Sequence, residues 1–360
     1  MDKKGQVEVT VNWIYILIAG GVILLFFIGI VVKQKAASEE SLAADVIRVM
    51  ENIFTGASVS EKTKNFIDTS GLSEFTLYFD CSEGITEYGL EGRSAKAQNS
   101  IDAVFSPRRM KSPQLITWSL PYLLPFKVAD LLYITSPNTK YYLYGQDVFI
   151  EELAKEGEEF GNIVRMNSPA DYSVLDPEKN FQIRIIDTTG EVVKSGSLVP
   201  GKTNSWEDEK ITGLLLQGEM AAFFQKKGDR WEKIGETIPI VSLGGERDAA
   251  KFAAVFSDSP EIYLCGMEKA FQRMEYVTKL YASRADELVG YYGRINPSGY
   301  CSQIISEGAE NIKTVLGSVI GILGSCRLTP ERCDYQELTD QAGIISRMND
   351  ELRVNCISLY

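Results

Sequence analysis

Residues 9–32, VTVNWIYILIAGGVILLFFIGIVV, run for 24 positions without a charge. A helix rises about 1.5 Å per residue, so a run of this length crosses a hydrocarbon core of roughly 30 Å. The stretch predicts a membrane-spanning helix in contact with lipid, and Trp13 and Tyr15 at one end suit a membrane interface. A cleavable secretory leader has an apolar core of only about 7 to 15 residues and a small-x-small cut site. Lys33-Gln34-Lys35-Ala36-Ala37 follows here, which argues against a cut behind the run. No second run approaches this length, so everything past Val32 is expected on one side of the membrane.

The helix is expected to continue past the run. Leu42, Val46, Val49 and Ile53 repeat at helical spacing beside Ile47, Met50 and Phe54, while Ser41, Asp45, Arg48 and Asn52 form the opposite, polar stripe. An amphipathic stalk laid against the body of the protein follows from that pattern, and residues 1–58 form a leader, anchor and stalk.

Lys3-Lys4-Gly5-Gln6 stands just ahead of the run. A short basic leader of this form resembles the archaeal class III signal peptides of type IV pilin-like proteins. The resemblance implies a prepilin-peptidase cut between Gly5 and Gln6 that leaves the span in place, with the chain assembling as a minor pilin or filament subunit. It covers about 30 of the 360 residues. The carboxylate that pilins carry at the fifth mature position would fall on Thr10, and Glu8 is the nearest acid. An uncut signal anchor, whose lysines hold the N-terminus in the cytoplasm, is the other reading.

Lysines flank both ends of the run, so charge does not orient it. The cysteines do. Cys81, Cys265, Cys301, Cys326, Cys333 and Cys356 all lie beyond it, with no C-x-x-C among them and no histidine in the chain. Zinc sites use closely spaced thiolates or histidines, so no metal site is expected, and an oxidised, extracytoplasmic disulfide set is the better account.

The chain is 44% apolar and carries a net charge of −12. The first figure supports packed domains, and the second repels nucleic acid. The local exception is Ser106-Pro107-Arg108-Arg109-Met110-Lys111-Ser112-Pro113, read as a solvated turn with lipid-headgroup or partner contact as the alternative.

Residues 59–258 read as a mixed α and β domain with mostly antiparallel pairing. EFTLYFDC (74–81) alternates Phe75, Leu77, Phe79 and Cys81 on one face. FQIRIIDTTGEVVKSG (181–196) predicts a hairpin turning at Thr189-Gly190, and MAAFFQKKGDRWEKIG (220–235) a second hairpin. A helix is expected in QDVFIEELAKEG (146–157), between strands in DLLYIT and KYYLYG and one in NIVRM.

Residues 259–360 predict an antiparallel three-helix bundle. The first helix opens at Ser259-Pro260-Glu261, and the second is marked by Ile305, Ile312, Leu316, Val319 and Leu323. The third opens at Asp334 with Glu337 three residues on. The expected class is thus α+β: transmembrane helix, amphipathic stalk, mostly antiparallel mixed domain and helical bundle.

Helix direction in an up-down-up bundle places Cys301 beside Cys356. Cys326 and Cys333 then pair locally across Pro330, which leaves Cys81 to bridge to Cys265. The competing scheme joins Cys265 to one cysteine of the 326–333 link and Cys81 to the other.

Without histidine, Ser-His-Asp, Cys-His and H-E-x-x-H sites are excluded, and S-x-x-K, G-x-S-x-G and the glycine-rich nucleotide motifs are also missing. No cofactor or catalytic residue is assigned. Glu151, Glu152, Glu156, Glu158 and Glu159 read as the wet face of a helix. Asp176, Glu178 and Asn180 imitate a calcium loop, but Phe181 stands where glycine is needed. Gly244-Gly245 ahead of a helix reads as a turn, with anion binding as the alternative. Tyr133, Tyr141, Tyr142 and Tyr144 read as half-buried strand residues, with sugar or partner stacking as the alternative.

The expected function is a single-pass, extracytoplasmic structural or interaction protein, in one form a pilin-like subunit, with protein partners or self-assembly. A membrane-tethered binding protein that never enters a filament is the alternative, and a histidine-free, carboxylate-dependent enzyme is third.

Overall fold

The computed structural model describes residues 64–168, 182–201, 206–245, 247–307, 311–328 and 333–360, with most positions of an N-terminal helix between 21 and 52. Gly5, Gln6 and the calcium-loop imitation at 176–181 lie outside the described residues.

Three sheets organise the body. The first is ordered β1 (Lys64–Asp68), β7 (Gln114–Leu123), β8 (Lys127–Thr135) and β5 (Val104–Phe105). The second is ordered β4 (Lys96–Asn99), β3 (Ile85–Leu90), β2 (Leu77–Ser82) and β6 (Arg109–Met110). The third has six strands: β10 (Ile163–Met166), β9 (Thr139–Tyr144), β11 (Gln182–Asp187), β12 (Ile211–Gln217), β13 (Met220–Lys227) and β14 (Arg230–Pro239). In β2, Leu77, Phe79 and Cys81 are buried and alternate with more open residues, as a half-buried strand requires.

Two parts of the expected fold class are corrected. The third sheet is mixed rather than mostly antiparallel, because β10, β9, β11 and β12 run parallel to one another. Parallel neighbours need crossovers, and the links are long enough to supply them: helix α1 (Val148–Gly157) joins β9 to β10. The second correction concerns the span. Among the described residues no helix is long and apolar enough to cross a membrane. Residues 9–20 of the expected span lie outside the described residues, and the described positions from 21 to 31 form an exposed helical stretch.

The hairpin expected at Thr189-Gly190 does not form. Asp187 is fully buried, and its carboxylate accepts hydrogen bonds from the backbone N–H groups of Thr189, Gly190, Val192 and Val193. Those donors are consumed by one side chain and cannot enter a strand ladder. The second expected hairpin is present as β13 and β14, which turn at Gly228 with φ 64°.

The stalk pattern is rotated from its expected setting. Ala43, Val46 and Met50 are buried against Leu77, Phe79, Tyr88 and Leu90 of the second sheet, whereas Val49 is 48% exposed. Ser94 donates to Glu40 beside this contact.

Helix α2 (Ala249–Phe256) is buried at every position but Lys251 and lies beneath β7 and β8. Trp118 sits at the centre of this core, edge-on to Phe252 at 4.9 Å and Tyr133 at 5.6 Å. Helix α3 (Pro260–Ile295) spans 36 residues, and Ser259 caps it by accepting from the Ile262 N–H. Helices α4 (Ile312–Leu328) and α5 (Tyr335–Asn355) complete the helical part; Asp334 caps α5 by accepting from the Glu337 N–H. Helix α4 packs against both α3 and α5, and all three share one apolar core with the first and third sheets.

All six cysteines are paired. Cys81 joins Cys265, Cys301 joins Cys356 and Cys326 joins Cys333, which is the scheme favoured by helix direction.

Candidate functional site: a charged cleft between the sheets

The cleft forms where the turn before β6 faces the start of α3 and the ends of β11, β12 and β13. Its volume is about 860 Å³. The turn carries Arg108 and leads straight into Arg109, the first residue of β6, in a segment bounded by Pro107 and Pro113. Arg108 reaches Glu261 in the first turn of α3 at 3.0 Å. Arg109 spans the opening: its Nε is 3.2 Å from Glu91 and a terminal nitrogen is 2.9 Å from Glu209.

Glu209 stands on a short turn, Asp208–Lys210, that is anchored from below. Lys226 is almost fully buried and donates to the Trp206 carbonyl at 2.9 Å and to Asp208 Oδ1 at 2.6 Å. That bond holds the Asp208 carboxyl below its ordinary range. The turn therefore presents Glu209 from a fixed support.

At the floor, Asp258 accepts from the Arg108 N–H at 2.7 Å through Oδ2, while its enclosed Oδ1 has no partner. Burial raises the Asp258 pKa against the lowering pull of the Arg108 N–H, Arg184 and Arg108. Arg184 lies behind it, fully buried, donating to the carbonyls of Val255 and Ala254 and to the Thr212 hydroxyl. Its cation caps the C-terminal end of α2, where the helix dipole favours positive charge. Burial nevertheless pulls its pKa down to about 10.

The lining holds six carboxylates (Asp80, Glu91, Glu207, Glu209, Asp258, Glu261) against three cations (Arg108, Arg109, Lys210). The surplus is negative. Arg109 is half exposed, and ion pairs of that kind contribute only about 0–1 kcal/mol each, so the strap across the cleft exchanges readily with a competing cation. The arrangement suits recognition of a donor-rich or cationic group.

A second polar cluster lies behind the Cys81–Cys265 bridge. Lys269, on α3 one turn after Cys265, is 3% exposed and donates to Thr86 Oγ1, the Asn99 carbonyl and the Asp102 carbonyl. Thr86 in turn lies 3.3 Å from Cys81 Sγ. Neither Lys269 nor Thr86 stands out in the sequence, because the burial that makes them unusual comes from residues more than 160 positions away.

Other sequence candidates fall elsewhere. Tyr133 and Tyr141 are buried in the core, and the Tyr144 hydroxyl bonds Glu191. The acidic stretch is structural in part: Glu156 pairs with Lys64 and Arg247, and Glu159 with Lys64. Gly244 and Gly245 lie in an exposed loop, but the α2 N-terminus they precede is occupied by Asp248, which accepts from Ala250 and Lys251. Of the basic cluster, Arg108 and Arg109 line the cleft. Glu209, Asp258 and Glu261 complete it from positions 100 or more residues away, with no local signal for that role.

No family model, curated protein or solved structure matches the chain.

Proposed function

We propose that this chain is an extracytoplasmic interaction protein, tethered at the membrane through its apolar N-terminal segment, with the Arg109 cleft as a partner-binding face. The observation that carries the reading is the closure of all six cysteines into three bridges. Such a set persists in oxidising compartments and is rare in the cytosol. The tether rests on the uncharged sequence from Val9 to Val32. The cleft supports the binding role through its negative surplus and its exchangeable strap.

Surface labelling of intact cells tests the reading. A membrane-impermeant amine reagent should modify exposed lysines such as Lys227 and Lys96 without permeabilisation. Modification only after the cells are opened would place the body in the cytoplasm and end the proposal.

A pilin-like form of the same reading draws on the exposed apolar side chains of the N-terminal helix, including Phe26, Phe27 and Val31, which need a cover of lipid or of other copies. It expects a mature chain beginning at Gln6. An intact Met1 or Asp2 on all of the native protein would remove it and leave the tethered binder.

A further inference from the structure

A second pocket lies at the far end of the helical part, between the last turn of α3, the segment leading to Cys301 and the end of α5. Its volume is about 510 Å³, within the range of small-ligand sites. The lining is Tyr292, Ile295, Asn296, Gly299, Tyr300, Cys301 and Asn355. None of these carries a charge, in a protein whose net charge is −12.

The frame of the pocket is fixed. The Cys301–Cys356 bridge ties its two sides, and the Tyr292 hydroxyl accepts from the Ile357 N–H at 2.8 Å. The Asn296 carbonyl accepts from Gly299 N–H and from the Ser302 hydroxyl. Gly299 packs directly against the Asn296 side chain: a Cβ there would stand 2.5 Å from Asn296 Nδ2, so a larger residue would displace that amide.

The free groups define the ligand. Among the described residues, the side-chain amides of Asn296 and Asn355 make no hydrogen bond, and both residues are exposed. Each amide offers two donors and an acceptor. Tyr300, whose hydroxyl donates to Glu351, is 51% exposed and Ile295 63%, so an apolar surface adjoins the amides. A matching ligand is uncharged, apolar on one face and rich in hydroxyls at its edge. Phosphate-bearing ligands find no cation in the lining.

We propose that this pocket binds a neutral saccharide, with one pyranose face stacked on Tyr300 and its hydroxyls paired to Asn296 and Asn355. The proposal is independent of the Arg109 cleft, which lies elsewhere on the molecule.

The test applies the full-length protein, in a detergent without sugar headgroups, to an array of neutral and anionic oligosaccharides, followed by titration of the best neutral hit. Binding of at least one neutral glycan is expected. Tyr300→Ala should weaken it more than tenfold, Tyr300→Phe by less than threefold because stacking survives, and Asn355→Ala about tenfold. These positions are exposed, so thermal unfolding of each variant should match the parent. No bound neutral glycan, retention of anionic glycans or of peptide probes alone, or neutral binding unchanged by Tyr300→Ala would each overturn the proposal.

Discussion

Lys269 Nζ stands 2.6 Å from the hydroxyl of Thr86, buried against the bridge between Cys81 and Cys265. Two carbonyls, of Asn99 and Asp102, complete its shell at 2.8 and 3.1 Å. Burial is the main cause that lowers its pKa from 10.5 to about 8. Between these values the unfolded chain holds the proton and the folded one releases it, so stability rises with pH. The buried tyrosines act in the opposite sense: Tyr263 and Tyr141 have raised pKa values, and the unfolded state loses their protons first above about pH 10. Urea unfolding should therefore show stability climbing from pH 8 to about 9.5. Lys269→Met should flatten that climb and cost about 1–3 kcal/mol at pH 7 through the stranded acceptors. A parent profile with no rise over this interval would refute the assignment.

The three bridges close segments of very different length. Sequence separations are 184 for Cys81–Cys265, 55 for Cys301–Cys356 and 7 for Cys326–Cys333. The chain-entropy account values them at about 5, 4 and 2 kcal/mol respectively. Paired Cys→Ser variants should lose stability in that order, measured as the unfolding free energy from urea curves with m fitted separately for each variant. A loss for the 326–333 pair as large as that for 81–265 would contradict it.

Glycines on α3 provide a paired test of packing. At Gly266 an added Cβ would meet Phe105 Cε1 at 2.5 Å, and Phe105 is fully buried between Tyr133 and Tyr263. At Gly290 nothing lies within 4 Å. Alanine favours the helix by about 1 kcal/mol at either site, but overpacking costs about 1–3 kcal/mol where the ring cannot move. Gly290→Ala should raise the Tm and Gly266→Ala should lower it. Equal effects would show that Phe105 repacks freely.

Arg109→Ala removes two exposed ion pairs and should change global stability by less than about 1 kcal/mol. Its effect should be local instead. Amide hydrogen exchange should accelerate at 207–210, where Glu209 loses its partner, and remain unchanged in β7 and β8. Unaltered exchange at 207–210 would mean that Arg109 does not strap the cleft.

Local signals were legible where one residue's chemistry decides the outcome. Ser259 and Asp334 cap their helices by accepting N–H groups three residues on, and the alternation Leu77, Phe79, Cys81 marks β2. Helix direction led to Cys301–Cys356 because antiparallel neighbours bring those ends together. Pairing order was not legible, since β9 and β11 become parallel neighbours through a crossover that local periodicity does not encode. The turn at Thr189-Gly190 misled because Val192 and Val193 look like strand residues, while Asp187 takes their N–H groups. The cleft was hidden for the same reason: Arg108 and Arg109 are conspicuous, but Glu209 and Asp258 meet them only after folding.

The central claim is an oxidised, extracytoplasmic body, and thiol counting in native cells tests it most directly. Cells are quenched with a membrane-permeant alkylating reagent before lysis, and the intact protein is weighed with and without reduction. The account predicts no adducts before reduction and six after it, from the three bridges at Cys81–Cys265, Cys301–Cys356 and Cys326–Cys333. Six adducts on the unreduced protein would contradict it.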